Sequence, residues 1–260
     1  MACPKEINML LELQKGIIYG PVNSRRLGRS LGINILPAQR KICPFNCVYC
    51  QYGWTKDHLL RINPNPDLPT VNAVKETLKK ALISTDNPPA YITFSGNGEP
   101  TLHPDFSQIV EEVTILRDRL APEAKTAILS NSALVSDKSI RKALSRLDVR
   151  IMKLDCGTPD IFKRYNQPCP GVDLEAITKG LSRVPDVDIQ ALVSAGRAGN
   201  LNTQNTTAWI ERLKHIRPLS VQLYTLDRGY PAKNLRPANR KELDDIKARV
   251  QKAGIRIGVF

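Results

Sequence analysis

The chain has 260 residues, and its 38 Lys and Arg against 25 Asp and Glu give a net charge of +13. Its 42% hydrophobic and 24% charged residues are typical of a globular protein with one large α/β core. No apolar run approaches the roughly 20 residues of a membrane span, and the first residues lack the pattern of a signal peptide, so we expect a cytoplasmic protein without a membrane partner.

The N-terminal residues 1–29 are predicted to form an extension to the main domain. Within them, residues 5–15 carry leucines at helical spacing and predict a short amphipathic helix. An Arg- and Gly-rich segment follows, and its arginines Arg25, Arg26 and Arg29 are the densest positive group in the sequence. The excess of positive charge favours an anionic partner such as RNA.

Residues 37–69 form the region that we expect to hold a metal cluster. Cys43, Cys47 and Cys50 lie in KICPFNCVYCQYG with C-x3-C-x2-C spacing. Thiolates select iron–sulfur clusters, zinc or copper(I). A four-iron cluster usually takes four cysteines, so three would leave one iron open to another molecule. The alternatives are a zinc site, for which His58 is the nearest fourth ligand, a disulfide framework, and inert buried thiols.

From Thr70 onward, apolar residues at helical spacing alternate with short apolar runs, and Thr70 itself is a predicted N-cap. Strands that alternate with helices predict a parallel sheet. About six strand–helix units and a closing extra strand fit a partial (β/α)6 TIM-like barrel, in a single domain that spans residues 1–260. The predicted strands cover residues 31–36, 90–94, 126–130, 149–154, 187–193, 220–225 and 255–260.

Polar residues follow several of these strands, at the edge where ligands of parallel α/β folds bind. The loop SGNGEP contains Glu99, which can pair with an ammonium group, and Ser130 and Asn131 suit a ribose hydroxyl. Each residue alone is more often part of a turn or a helix cap. Their shared edge favours a site for an aminoacyl nucleoside beside a metal. The other polar residues at these strand ends are Lys153, Asp155, Cys156, Gln190, Ser194, Gln222, Tyr224, Asp227 and Arg228.

The C-x3-C-x2-C spacing with Tyr49 before the last cysteine, followed by a Gly-Glu-Pro loop, resembles the radical S-adenosylmethionine (SAM) superfamily. The segments KICPFNCVYCQYG, GNGEPTLHPDF and KLDCGTPDIFKRYN resemble an uncharacterised cytoplasmic group similar to the wyosine-type tRNA-modifying synthases. The resemblance implies a [4Fe–4S] cluster on the three cysteines, with SAM at its open iron. The candidate SAM-binding residues are Tyr49, Gly96, Asn97, Gly98, Glu99, Ser130, Asn131 and Gln190.

The same resemblance implies that the reduced cluster cleaves SAM to methionine and a 5′-deoxyadenosyl radical, which takes hydrogen from an unidentified, anionic substrate. tRNA modification is one option, and the electron would come from a separate donor of flavodoxin or ferredoxin type. Cys156 and Cys169 could serve a second cluster, donate a hydrogen atom or be inert. The alternatives are an activase for a glycyl-radical enzyme and a non-catalytic zinc- or cluster-binding RNA-associated protein. The substrate-side candidates are Lys153, a candidate lysine for pyruvate, with Asp155, Cys156 and Arg228.

Overall fold

The structure, a computed structural model, describes residues 9–63 and 67–260, and Cys3 lies outside them. Twelve strands and seven α-helices form in the described residues. The strands are β1 (Ile18–Ser24), β2 (Gly28–Ile33), β3 (Ile42–Cys43), β4 (Asp57–His58), β5 (Tyr91–Phe94), β6 (Lys125–Ser130), β7 (Val149–Lys153), β8 (Val187–Leu192), β9 (Ser194–Ala195), β10 (Ser220–Tyr224), β11 (Arg236–Pro237) and β12 (Ile257–Val259). The helices are α1 (Val71–Ile83), α2 (Phe106–Leu120), α3 (Lys138–Leu144), α4 (Pro159–Tyr165), α5 (Leu174–Leu181), α6 (Thr203–Ile216) and α7 (Arg240–Lys252).

Eight strands form one sheet in the order β1-β2-β5-β6-β7-β8-β10-β12. All neighbours from β2 to β12 are parallel, and β1 pairs with β2 in antiparallel fashion. The sheet keeps two edges, β1 and β12, so the barrel is open. The structure therefore confirms the predicted partial (β/α)6 barrel and adds the β1–β2 hairpin, which was not predicted.

Most predicted strands agree with the structure to within two residues. The first one is displaced: residues 31–36 were predicted, but β2 is Gly28–Ile33. The predicted helix at residues 5–15 is wrong for residues 9–15, which contain no helix. Residues 5–8 lie outside the described residues. Among the described residues, no helix is long and apolar enough to cross a membrane.

The helices pack on one face of the sheet, and the other face lines the inside of the partial barrel. Helix α1 begins at the predicted cap, because the Thr70 side chain accepts a hydrogen bond from the Ala73 N–H. Its buried residues Val74, Leu78 and Leu82 recur every four positions and pack into the main core. Burying each such side chain contributes about 2 kcal/mol. The helices thus fix the strands and, with them, the strand ends.

The turn of the β1–β2 hairpin reaches into the partial barrel. Leu27 packs there against Ala127 of β6 and Ile151 of β7, apart from the main core. The neighbouring arginines reach the region that follows β10, where Arg25 forms an ion pair with Asp227. The hairpin turn therefore fills part of the barrel interior and joins two distant parts of the sheet.

Candidate functional site

The cysteine loop is attached by its backbone to the glycine-containing loop that follows β5. The Ile42 N–H donates to the Asn97 carbonyl (3.1 Å), and the Glu99 N–H donates to the Ile42 carbonyl (3.1 Å). A Cβ on Gly98 would lie 1.8 Å from the Ile42 carbonyl oxygen, and Gly98 has a φ of +138°. Glycine at position 98 is therefore required by the contact between the two loops.

The other side of the cysteine loop pairs with the last residue of α4 and with the segment that follows it. The Val48 N–H donates to the Tyr165 carbonyl (3.0 Å), and the Cys169 N–H donates to the Pro44 carbonyl (2.8 Å). His58 was the nearest candidate for a fourth zinc ligand, and its Nε2 donates to the same Pro44 carbonyl (3.0 Å). Among the described residues, no three His, Cys, Asp or Glu side chains are placed to hold one metal ion.

Each of the three cysteine sulfurs accepts a hydrogen bond from an N–H donor elsewhere in the chain. The described cysteines are all free thiols, which argues against a disulfide framework among them. Burial, chiefly, raises the pKa of the Cys47 thiol to about 11, so N–H donors matter for the thiolate form that binds metal. A four-iron cluster bonds each cysteine to a different iron, so these three separate sulfurs fit one. The pairs are Asn131 Nδ2 to Cys43 (3.3 Å), Asn166 Nδ2 to Cys47 (3.4 Å) and Lys41 Nζ to Cys50 (3.3 Å).

The carboxylate of Glu99 is buried and lies between the loop after β5 and the end of β6. It accepts hydrogen bonds from the Thr101 N–H (3.1 Å) and hydroxyl (2.7 Å). It also accepts from the Ser130 hydroxyl (2.9 Å) and the Asn131 N–H (2.6 Å). Burial raises the pKa of Glu99, and no Lys or Arg of the described residues forms an ion pair with it. An ammonium group bound here would neutralise a buried charge.

Asn97, a second residue of this loop, directs its side chain toward other parts of the chain. Its Oδ1 accepts from the Gln14 N–H (2.7 Å), and its Nδ2 donates to the carbonyls of Gln14 and Pro37 (2.9 Å each). A Cβ on Gly96 would lie 2.6 Å from Asn34 Oδ1. Both glycines of this loop, Gly96 and Gly98, therefore lie in close contact with other parts of the protein.

A second polar group lies at the ends of β7 and β10. The Tyr49 hydroxyl donates to Asp155, and Lys153 Nζ lies 3.4 Å from the same carboxylate. Lys153 also donates to the Tyr224 hydroxyl (2.9 Å) and is 18% exposed. Although burial lowers it, the Asp155 carboxylate and the hydrogen bond to Tyr224 raise the pKa of Lys153 above its usual value. The pair with Asp155 therefore holds Lys153 as a cation.

The structure brings most of the predicted strand-end residues together. Lys153, Gln190 and Gln222 are register neighbours on β7, β8 and β10 and thus face the same side of the sheet. Gln190 donates to the Gln222 side chain (3.4 Å). Arg228 lies outside this row, because its exposed guanidinium donates to Gln51 in the cysteine loop (2.8 Å).

Asn166 connects the cysteine loop with the second polar group and was not predicted. Its Nδ2 contacts Cys47 Sγ, the Asp155 carboxylate (2.8 Å) and the Tyr49 hydroxyl (3.3 Å). Its Oδ1 accepts from the buried Cys156 thiol (3.2 Å). Lys41 was also missed. Lys41 begins the segment KICPFNCVYCQYG and Asn166 ends the segment KLDCGTPDIFKRYN. Both segments were singled out by their resemblance, but only the folded chain shows the contacts of these two residues.

The chain is similar to known proteins in both sequence and fold. The model of the Radical SAM superfamily matches residues 41–205. A UPF0026 protein of Synechocystis sp. is 36% identical over 219 residues, which are 82% of this chain and 77% of that protein. The fold also resembles a radical SAM methyltransferase from Sphaerobacter thermophilus, at a TM-score of 0.65 and 13% identity over 89% of this chain and 65% of that one. A structure of TYW1 with a lysine-pyruvate adduct bound covers 86% of this chain and 73% of that one, at a TM-score of 0.60 and 15% identity.

Proposed function

Since the chain belongs to the radical SAM superfamily, we propose that it holds a [4Fe–4S] cluster on Cys43, Cys47 and Cys50 and cleaves SAM reductively. Held by these three cysteines, the cluster would supply the one electron that cleaves SAM to methionine and a 5′-deoxyadenosyl radical, which would take a hydrogen atom from the substrate. The observation that carries this proposal is the N–H donor at each of the three cysteine sulfurs. A separate electron donor of flavodoxin or ferredoxin type would reduce the protein, in a reducing cytoplasm.

The residues around Glu99 would bind SAM. The buried Glu99 charge, which has no Lys or Arg partner among the described residues, suits the methionine ammonium. Ser130 and Asn131 lie beside it and would meet the ribose, as the family pattern implies. Asn97 would act indirectly, because its side chain holds the loop in place.

The substrate is proposed to carry an anionic group, bound on the inside of the partial barrel. Lys153 is a fixed cation there, and the Arg26 guanidinium lies 4.8 Å above the Tyr224 ring. No acceptor for that guanidinium is found in the described part of the chain. An anionic group at this place would give Arg26 its acceptor and would lie beside the Lys153 ammonium, which Asp155 already pairs. tRNA modification remains one form of this proposal.

A covalent adduct of Lys153 with a carbonyl substrate is not part of the proposal. TYW1 has been solved with a lysine-pyruvate adduct bound, and Lys153 was the candidate for such a lysine here. A lysine attacks a carbonyl as the neutral amine. The pair with Asp155 (3.4 Å) and the hydrogen bond to the Tyr224 hydroxyl (2.9 Å) hold Lys153 as an ammonium ion, so we assign it to binding of an anion.

The test is the formation of 5′-deoxyadenosine. The protein would be reconstituted with iron and sulfide without oxygen, reduced with dithionite and supplied with SAM, and the product would be separated by chromatography. We expect product from the wild type and none from Cys47→Ala. Cys169→Ala is the matched control, because Cys169 is a buried cysteine whose hydrogen bond to the same loop comes from its backbone N–H.

The control and the metal content make the outcome decisive. Product from Cys169→Ala at the wild-type level would limit the requirement to the three clustered cysteines. A wild type that binds zinc, lacks iron–sulfur absorption near ~400 nm and forms no 5′-deoxyadenosine would contradict the proposed function.

A further inference from the structure

Lys41 is a buried lysine without a carboxylate partner. The residue is only 7% exposed, and its ammonium donates to the Gly53 carbonyl and to Cys50 Sγ (3.3 Å). No Asp or Glu in residues 9–63 and 67–260 forms an ion pair with it. Removing an ammonium group from water costs several kcal/mol unless a negative charge or good hydrogen bonds compensate it.

The Cys50 sulfur can supply that negative charge. A thiol is neutral, whereas a cysteine bound to iron is a thiolate and belongs to a group with net negative charge. The sulfurs of Cys43 and Cys47 accept hydrogen bonds from neutral amides. Lys41 is therefore the cation among the three donors, and it lies on the Cys50 side of the site.

A cation at this place favours reduction of the cluster. Reduction adds one negative charge to the cluster, and a fixed positive charge stabilises that charge strongly where water is excluded. Net charge and hydrogen bonds to the sulfurs are among the factors that set the potential of an iron–sulfur cluster. A cation raises the potential more than a neutral N–H donor does, because its full positive charge attracts the negative charge that reduction adds.

We propose that Lys41 is a positioning residue that raises the reduction potential of the cluster through its contact with Cys50. This inference rests on the proposed function, because it requires a cluster on the three cysteines. It implies that Lys41 lets the cluster accept its electron from a weaker reductant than the cluster would otherwise need.

The experiment is a potentiometric titration of the reconstituted protein, followed by the electron paramagnetic resonance signal of the reduced cluster. We expect Lys41→Met to shift the midpoint potential to a more negative value. Lys41→Arg keeps the charge and should remain close to the wild type. Lys56→Met is the matched control, because Lys56 is an exposed lysine in the same loop region, and it should leave the potential unchanged.

Lys41→Gln is a second variant, to be used if Lys41→Met fails to bind the cluster. Glutamine keeps an N–H donor for the Gly53 carbonyl and removes the charge, so a lower potential is expected here as well. A wild-type potential in either variant at full iron and sulfide content would overturn the inference. A shifted potential in a protein whose wild type forms no 5′-deoxyadenosine would support the role of Lys41 and contradict only the cleavage of SAM.

Discussion

Gly98 shows at the scale of one residue how the two loops of the site depend on each other. Because a Cβ there would meet the Ile42 carbonyl oxygen at 1.8 Å, we expect Gly98→Ala to push the cysteine loop away. Strained φ angles cost up to about 3 kcal/mol, and the clash adds to this cost. We therefore expect the free energy of unfolding to fall by about 3 kcal/mol or more, together with the iron bound after reconstitution.

Denaturant unfolding and iron analysis would measure both effects. Gly16→Ala is the control, because a Cβ there would lie 3.4 Å from its nearest neighbour, the Ile18 carbonyl oxygen. Full iron content in Gly98→Ala would show that the loop contact has no influence on the cysteines.

Some residues of the site could be predicted from the sequence, and others could not. The sequence marks the three cysteines by their spacing and marks Glu99, Ser130 and Asn131 by their position after strands. The structure places Glu99, Ser130 and Asn131 together. The donors Lys41 and Asn166 carry no such signal. Asn166 meets Cys47 across 119 positions of sequence, and only the packing of α4 against the cysteine loop brings the two side chains into contact.

At the scale of elements, residues 9–15 cross the site as an irregular segment. The Leu11 N–H donates to the Gln51 carbonyl (2.7 Å), and Gln14 is held through its backbone by the Asn97 side chain. We expect Asn97→Ala to release this segment, because buried partners left without hydrogen bonds cost about 1–3 kcal/mol.

Hydrogen exchange followed by mass spectrometry would detect the release as faster exchange in residues 9–16. Asn87→Ala, at an exposed asparagine in the loop before β5, should leave exchange there unchanged. Equal protection in Asn97→Ala and the wild type would show that other contacts hold the segment.

Elements with buried apolar runs were predicted well, and elements without them were not. The parallel strands are covered by helices, so their apolar runs are continuous and easy to find. Strand β1 has four exposed residues among seven and lies in an Arg- and Gly-rich stretch, so no alternation marks it. Leu10 and Leu11 belong to the pattern that predicted a helix in residues 5–15, but they are 45% and 38% exposed. The segment lies across the cysteine loop instead, with the Leu11 N–H bound to the Gln51 carbonyl.

At the scale of the whole molecule, the net charge of +13 acts near the site through exposed arginines. Arg228 contacts Gln51 of the cysteine loop, and we expect Arg228→Ala to weaken binding of bulk tRNA. The binding constant falls as salt is added, and each lost phosphate contact makes the slope of its logarithm against the logarithm of the salt concentration less steep by about 0.7–0.9. Fluorescence anisotropy with labelled tRNA at several salt concentrations would measure this slope.

Lys252→Ala is the control for this measurement. Lys252 is exposed at the end of α7, and the end of such a helix lies at the amino ends of the strands, away from the cysteine loop. Equal slopes in both variants and the wild type would argue against RNA contacts at Arg228. Binding that does not depend on salt would argue against RNA as the substrate.

The backbone pairing of the cysteine loop has a consequence for the biogenesis of the enzyme. The loop is held on one side by the chain after β5 and on the other by the chain after α4, so its shape depends on contacts between distant parts of the sequence. Such non-local contacts form late, because closing long loops costs entropy before the contacts repay it. For the proposed cluster, iron and sulfide would then meet a finished receptor, and maturation of the metal centre would be the last step in the making of this protein.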